Sequence, residues 1–426
     1  MNAQISDRQL LWNALFQSGG LDSVDAVTLD RLVLLAEDQE VLLPLADQFL
    51  AAPNTTELVA ERVALRRGNH EKLAEQLVQV DECLRAAEVP YLMIKGFGYE
   101  RLQAAGYSRQ MDDLDLVLPS VADGWRAAEA LAELGYQLLA ATIARKSWGW
   151  ASVLIIQNAE GADLELTCAG MIFHSHSVLP WDEELWAGQE SARGVGVPGR
   201  RWAAAILIAE MLDRPRLRLR DRLDARAVLA RLDEQDRRWL ADLAQRYALG
   251  WELAAAQDTG SDDVDFEGRR PLRLRRRAPR TFRALTHAFP AMRREGLSQA
   301  VRASTIALIR DSMGSWLEDD PDTVDNLSDR TLAWAGRLAK VLNHRPAAQQ
   351  LAAGISLPLI PLDVEDAEDR QSSDQPADNS DGIAVYDEGR MLVLDTPIGG
   401  FLATVVPVID EDQLEQATEL LRRRRR

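Results

Sequence analysis

Between residues 89 and 168 the apolar residues stop recurring at helical spacing and gather into five short runs, VPYLMI, LDLVLP, YQLLA, ASVLII and ADLELTC. Runs of that length read as strands, so this part of the chain has to build a sheet. Its flanks read differently. Before it, Leu10, Leu11, Ala14 and Leu15, and later Leu73, Leu77, Val80 and Leu84, follow a helical period, interrupted at Ala52-Pro53-Asn54. After Pro198 the helical period returns and continues to about His344, broken by a charged, Pro- and Gly-containing stretch around residues 260–279. The expected class is α+β, a small mixed sheet with helices, flanked by helical regions. The expected organisation is a helical region 1–88, an α/β core 89–197 and a helical domain 198–362.

Within the core, residues 121–134 read as an amphipathic helix with Ser120 as its N-cap and Gly135 in the C-terminal stop position. The segment Gln157-Asn-Ala-Glu-Gly-Ala162 reads as a hairpin connection that makes the last two strands antiparallel neighbours. Residues 363–382 are rich in Asp, Ser, Gln and Pro and hold too little apolar surface to order themselves, which predicts a disordered acidic linker. A small segment, 383–426, follows it, with two strands around Thr396-Pro-Ile-Gly-Gly400 and a helix from about Glu411 into five arginines.

A chain of 426 residues can bury a large core. Its net charge of -18 argues against a surface that is broadly a nucleic-acid binder, while leaving room for a local basic groove. Cys83 and Cys168 are its two cysteines, and neither sits in a CxxC or Cys/His spacing, so no disulfide framework or zinc site is expected. Charges interrupt every apolar run before it reaches membrane-spanning length, and no leader pattern opens the chain. These features predict a cytoplasmic protein without a membrane partner. The eleven tryptophans are dispersed without a period, which gives no sign of a repeat architecture.

The chemistry concentrates in two of the strand-length runs. Tyr91-Leu-Met-Ile ends in Lys95-Gly96, and Arg109-Gln-Met-Asp-Asp-Leu-Asp-Leu-Val-Leu118 carries Asp113 and Asp115 two residues apart. Strand residues two apart point to the same face, with Cα atoms roughly 6.5–7 Å apart, so their carboxylates can converge on a cation. Two ionised carboxylates at about 7 Å repel by roughly 2–3 kcal/mol at an effective dielectric of 20, and a divalent cation reverses that sign. Lys95 and the Gly96 backbone are placed to meet phosphate charge at the turn. Arg109 either contacts phosphate or pairs with a neighbouring acid. Asp112 faces the other way and reads as a strand-edge or capping residue.

This order of a Lys-Gly turn, a helix and an Asp-x-Asp strand resembles the nucleotidyltransferase superfamily typified by DNA polymerase beta. It resembles more closely an uncharacterised bacterial branch, through Ile94-Lys95-Gly96 and Arg109-Gln110-Met111-Asp112-Asp113-Leu114-Asp115. The likeness extends over about residues 5–260 and is specific in the Arg-to-Asp segment. It implies a metal-dependent transferase that moves a nucleoside monophosphate from a nucleoside triphosphate (NTP) to an acceptor hydroxyl and releases pyrophosphate. Mg²⁺, with Mn²⁺ as its substitute, is the implied cofactor, ligated by Asp113 and Asp115. Lys95, Gly96 and Arg109 are the implied phosphate-binding residues. A third acid on a later strand is implied to orient or deprotonate the acceptor and to join the metal set; Glu165 is the first choice and Asp163 the second. Thr167 stands where the branch usually has a histidine.

The implied acceptor is a small molecule, a protein or an RNA, and no DNA is expected. Two basic segments, from Arg214 to Arg222 and from Arg269 to Arg277, read either as a polyanion-binding groove or as amphipathic surface. His174 and His176 read as loop residues rather than ligands, and Asp224 as structural. The competing expectation is a catalytically degenerate nucleotidyltransferase fold that serves as an interaction scaffold.

Overall fold

The computed structural model describes residues 7–16, 20–103, 107–146, 148–172, 178–211, 218–247, 249–257, 346–352, 356–363, 381–388, 391–404 and 411–425. Among them, four helices precede the first strand: α1 (Asp7–Phe16), α2 (Ala26–Asp38), α3 (Ala46–Ala51) and α4 (Glu57–Ala86). Then come β1 (Leu92–Ile94), α5 (Gly96–Glu100), β2 (Asp113–Leu118), α6 (Val121–Ala132), β3 (Gln137–Lys146), β4 (Gly149–Gln157) and β5 (Asp163–Cys168). Short elements follow: β6 (Gly170–Ile172), β7 (Val178–Pro180), α7 (Glu183–Ala187), β8 (Glu190–Ala192) and β9 (Val195–Val197). They lead to α8 (Arg200–Glu210), α9 (Leu219–Ala230), α10 (Glu234–Arg246) and α11 (Gly250–Gln257). Beyond residue 345 lie α12 (Ala347–Ala352), β10 (Leu357–Pro361), β11 (Ala384–Asp387), β12 (Leu392–Thr396), β13 (Gly399–Ala403) and α13 (Glu411–Arg425).

Two compact units interleave in this order. The first takes its described residues from Met1–Glu82, Leu92–Asp115 and Asp182–Leu272, and the second from Cys83–Tyr91, Leu116–Trp181 and Arg273–Arg426. Each therefore draws on stretches far apart in the chain.

In the first unit the helical lead-in closes a core of Leu11, Trp12, Leu29, Leu32, Val33, Phe49, Val59 and Val63, and α9 contributes Leu219 and Leu223 to the same cluster. Asp25 caps α2 by accepting from the Thr28 amide at 2.9 Å, which satisfies one of the open donors of the first turn. Glu40, in a left-handed conformation at φ 54°, takes ion pairs from both Arg218 and Arg220 and so ties the end of α2 to the start of α9. Helix α8 is buried all round from Trp202 to Ala209.

The second unit holds an antiparallel run of strands in the order β5-β4-β3-β10-β13-β12-β11. The β4–β5 hairpin is as the sequence predicts, with Ile155 opposite Glu165. Its turn is held by Asn158 Oδ1, which accepts from the amides of Glu160 and Ala162, while Gly161 supplies φ 82°. Ser120 caps α6, accepting from the Asp123 amide at 3.0 Å. Gly124 lets α6 approach β5 closely: a Cβ there would meet Cys168 Sγ at 2.4 Å. That thiol is pushed up to about 12 by burial.

The sequence places residues 357–361 at the end of a helical domain; they are strand β10. Its Leu357 to Leu359 half pairs with β3 and its Leu359 to Pro361 half with β13, so the two ladders share Leu359. Pro358 and Pro361, which lack an amide donor, are accommodated at this change of partner, and the Pro358 carbonyl still accepts from Thr404 at 3.0 Å. The segment beyond residue 383 forms three strands where the sequence suggests two, and α13 covers them by packing Leu420 and Leu421 on Val393 and Leu402. Trp125 of α6 stacks on Phe401 of β13 with ring centroids 6.4 Å apart. The acidic linker, apart from Asp363, Asp381 and Gly382, both histidines at 174 and 176, the basic segment 269–277, Arg214 and Arg216 lie outside the described residues.

Candidate active site

Strand β1 is fully buried, and the chain leaves it through a turn that an ordinary side chain rarely adopts. Lys95 has φ 55° and ψ -137°, and Gly96 follows at φ 35° to open α5. A β-carbon in the Lys95 conformation costs of order 1–3 kcal/mol and persists only where surrounding contacts impose it. Two carboxylates supply those contacts. Lys95 Nζ lies 3.0 Å from Asp115 Oδ1 and forms a second ion pair with Glu210 Oε1. The three side chains are 16%, 7% and 9% exposed, so this charged cluster is largely withdrawn from water.

Asp115 arrives there because β2 runs from an exposed first residue into the interior: Asp113 is exposed, and every residue from Leu114 to Leu118 is buried. Alternation puts Asp113 and Asp115 on one face, one carboxylate at its wet end and one at its dry end. Glu210 arrives from elsewhere in the chain, as the last residue of α8. Its neighbours in sequence form no catalytic motif. The available signal is a lone acid closing a helix whose preceding eight residues are all apolar, since such a helix carries its last polar group into the interior.

Arg109 is buried. Its guanidinium Nε bonds Asp224 Oδ2 at 3.0 Å, with side-chain exposures of 5% and 1%, and it lies over the Tyr99 ring at 5.6 Å. Burial opposes its charge, but Asp224 together with Tyr107 and Tyr99 holds its pKa above the ordinary arginine value. Burial and then Asp224 push the neighbouring Tyr107 hydroxyl upward. The backbone amide of Arg109 donates to Glu100 Oε2 at 2.9 Å, an oxygen that also meets the His70 ring nitrogen at 2.7 Å, while Arg193 donates to Glu100 Oε1 at 3.2 Å. Burial would raise the Glu100 pKa, yet the bonds from His70, the Arg109 amide and Arg193 together leave it lowered. This network fixes α5, which the lysine turn opens, and the segment that leads into β2 and its aspartates. Asp112 pairs outward with Arg66 at 2.6 Å.

The remaining sequence candidates lie in the second unit, on β5. Thr167 Oγ1 donates to Glu165 Oε1 at 3.1 Å, and Gln157 Nε2 donates to Asp163 Oδ1 at 2.6 Å. The described arginines of the 214–222 segment are engaged structurally, Arg218 and Arg220 with Glu40 and Arg222 over the Trp12 ring at 5.5 Å.

The donor set suits a hard cation. Among the described residues no group of three or more His, Cys, Asp or Glu is spaced to cage a metal. A cation at Asp113 and Asp115 must complete its shell with substrate phosphates and water, which is the arrangement Mg²⁺ accepts.

The profile of a family described as an uncharacterised nucleotidyltransferase matches residues 25–257, more than half of the chain. The protein belongs to that family. The match takes in the lysine turn, both aspartates, Glu210 and Asp224. Among solved structures, this family member is similar to the antibiotic-resistance factor ANT(2'')-Ia at 15% identity and a TM-score of 0.32, over 42% of this chain and 95% of that one. It is also similar to an antigenic nucleotidyltransferase-like protein from Paracoccidioides brasiliensis at 13% identity and a TM-score of 0.23, over 44% of this chain and 92% of that one. No protein with a curated description matches it in sequence. Among the described residues no helix is long and apolar enough to cross a membrane.

Proposed function

We propose that this family member transfers a nucleoside monophosphate from an NTP to an acceptor hydroxyl, and that Lys95, Asp113 and Asp115 are the centre of that reaction. The observation that carries the proposal is the strained Lys95 turn, which holds an ammonium group against Asp115 with both side chains largely buried. Strain of this kind is maintained against a cost, and it clusters at sites of binding and catalysis.

Asp113 and Asp115 would hold Mg²⁺, or Mn²⁺ in its place. When bound, the cation neutralises triphosphate charge and polarises the phosphoryl group under attack. Lys95 supplies a mobile positive charge beside that position, able to turn from Asp115 to a phosphate oxygen. Gly96 keeps the turn free of a second side chain and leaves its backbone open to phosphate. Arg109, locked onto Asp224, is better suited to orienting the segment before β2 than to touching phosphate. In the transfer itself the acceptor oxygen bonds to the α-phosphorus, the bond from that phosphorus to the bridging oxygen breaks, and pyrophosphate leaves with the electron pair. The acceptor proton is assigned to Glu165, or to Asp163, on the family resemblance alone.

Isothermal titration with Mg²⁺ and each NTP tests the proposal by comparing wild type with the Asp113→Ala/Asp115→Ala double variant. Heat of binding in wild type and its loss in the variant support it, whereas identical behaviour of the two overturns it. A second reading, a non-catalytic scaffold with the same fold, is favoured by the fact that Lys95 is already neutralised by two carboxylates of its own chain. It predicts no binding of either ligand by wild type.

The acceptor is proposed to be a small hydroxylated molecule or a protein side chain in preference to RNA. Arg218 and Arg220 are committed to Glu40, which leaves fewer cations for a polyanion.

A further inference from the structure

We infer that Glu210 is a positioning residue that keeps Lys95 in place while Asp115 changes partner, an inference that rests on reading Asp113 and Asp115 as cation ligands. Lys95 Nζ is held by both acids, and all three side chains are at least four-fifths buried. Were Asp115 its sole partner, every cation bound there would leave a buried ammonium without a counter-charge, and the lysine would compete with the cation for the same oxygen. Glu210 removes that conflict. Lys95 can give up Asp115 and remain paired, still beside the site, with its charge available to a phosphate.

The position of Glu210 is imposed by packing and does not depend on the ion pair. Residues 202–209 of α8 are buried without interruption, so the helix cannot rotate or slide to follow a ligand. The Tyr99 hydroxyl donates to the Ala203 carbonyl at 3.1 Å. That bond joins α8 to α5, the helix opened by the Lys95-Gly96 turn. The lysine turn and the acid that steadies it are thus parts of one braced assembly within the first unit.

A competing role for Glu210, direct ligation of the cation, is separable by a mutant cycle on the full chain. Mn²⁺ binding is read from the electron paramagnetic resonance signal of the free ion, in wild type, Glu210→Gln, Lys95→Met and Lys95→Met/Glu210→Gln, with thermal melts in chelator to confirm folding. Glu210→Gln should weaken Mn²⁺ binding about 10-fold in the wild-type background, because Lys95 then clings to Asp115. In the Lys95→Met background the same change should alter binding by less than about 2-fold, since there is no lysine left to hold. Lys95→Met alone should bind Mn²⁺ at least as tightly as wild type. An equal loss in both backgrounds, or none in either, overturns the inference. If Glu210→Gln melts below the assay temperature, Glu210→Asp takes its place in the cycle, with a smaller loss of the same sign that again vanishes without Lys95. Asp113→Ala/Asp115→Ala is measured alongside. Should it bind Mn²⁺ like wild type, the cation reading itself is lost and the inference with it, an outcome distinct from additivity in the cycle.

Discussion

Lys95 Nζ lies 3.0 Å from Asp115 Oδ1, across a turn whose φ of 55° residues with a side chain seldom adopt. The pair links the two shortest sequence signals of the chain, a Lys-Gly turn and an Asp-x-Asp strand, into one object. Withdrawing Lys95 from either carboxylate would strand a buried charge, so the ion pairs hold the turn in a conformation that costs about 1–3 kcal/mol. Gly96, at φ 35°, is the companion requirement, and Gly96→Ala should lower stability by about 1 kcal/mol or more in urea melts.

The Arg109–Asp224 pair should act as a support for the fold. Each side chain is at most 5% exposed, so removing one partner strands the other charge. Arg109→Ala and Asp224→Ala should each destabilise the protein by about 3–5 kcal/mol, and an Arg109→Met/Asp224→Leu pair should recover most of that loss. Denaturant melts check both. A variant pair restored in stability but still able to bind NTP would confine Arg109 to orientation.

Glu100 sets an acid limit on the first unit. Its folded pKa lies below the ordinary 4.5, so between the two values the unfolded chain binds the proton more readily than the folded one. Its contribution is therefore present above about pH 4.5, and it is lost as the pH falls through the lowered folded value. Urea midpoints measured from pH 6 downward should drop for wild type and drop less steeply in Glu100→Gln.

Phe401 should matter far beyond the small segment that carries it. It is 2% exposed and stacked on Trp125, so the C-terminal strands share the packing of α6 in the second unit. Phe401→Ala should cost about 3–5 kcal/mol, read as a fall in the melting midpoint. A loss below about 1 kcal/mol would mean that these strands are an appendage.

Much of this architecture is local and was legible for that reason. Ser120 as a cap, the Asn158-to-Gly161 turn and the shared face of Asp113 and Asp115 each depend on residues within a few positions of one another. What escaped depends on distance along the chain. Glu210 meets Lys95 from a helix 115 positions downstream, and a helical period says which face is apolar without saying which strand it will meet. Strand β10 carries two prolines in five residues, which a strand with a neighbour on each side seldom holds, and the change of partner at Leu359 accommodates them. Arg109 was open between phosphate and an ion pair, and its partner, Asp224, likewise lies 115 positions away.

In the proposed function, Asp113 and Asp115 hold the cation that brings an NTP to Lys95. The most direct measurement is calorimetric titration of Mg²⁺ and NTP into wild type and into Asp113→Ala/Asp115→Ala, each shown to be folded by its melting curve. NTP binding should require Mg²⁺ in wild type and fall at least about 10-fold in the double variant. Equal binding by the two proteins, or NTP binding by wild type that is indifferent to Mg²⁺, would contradict it.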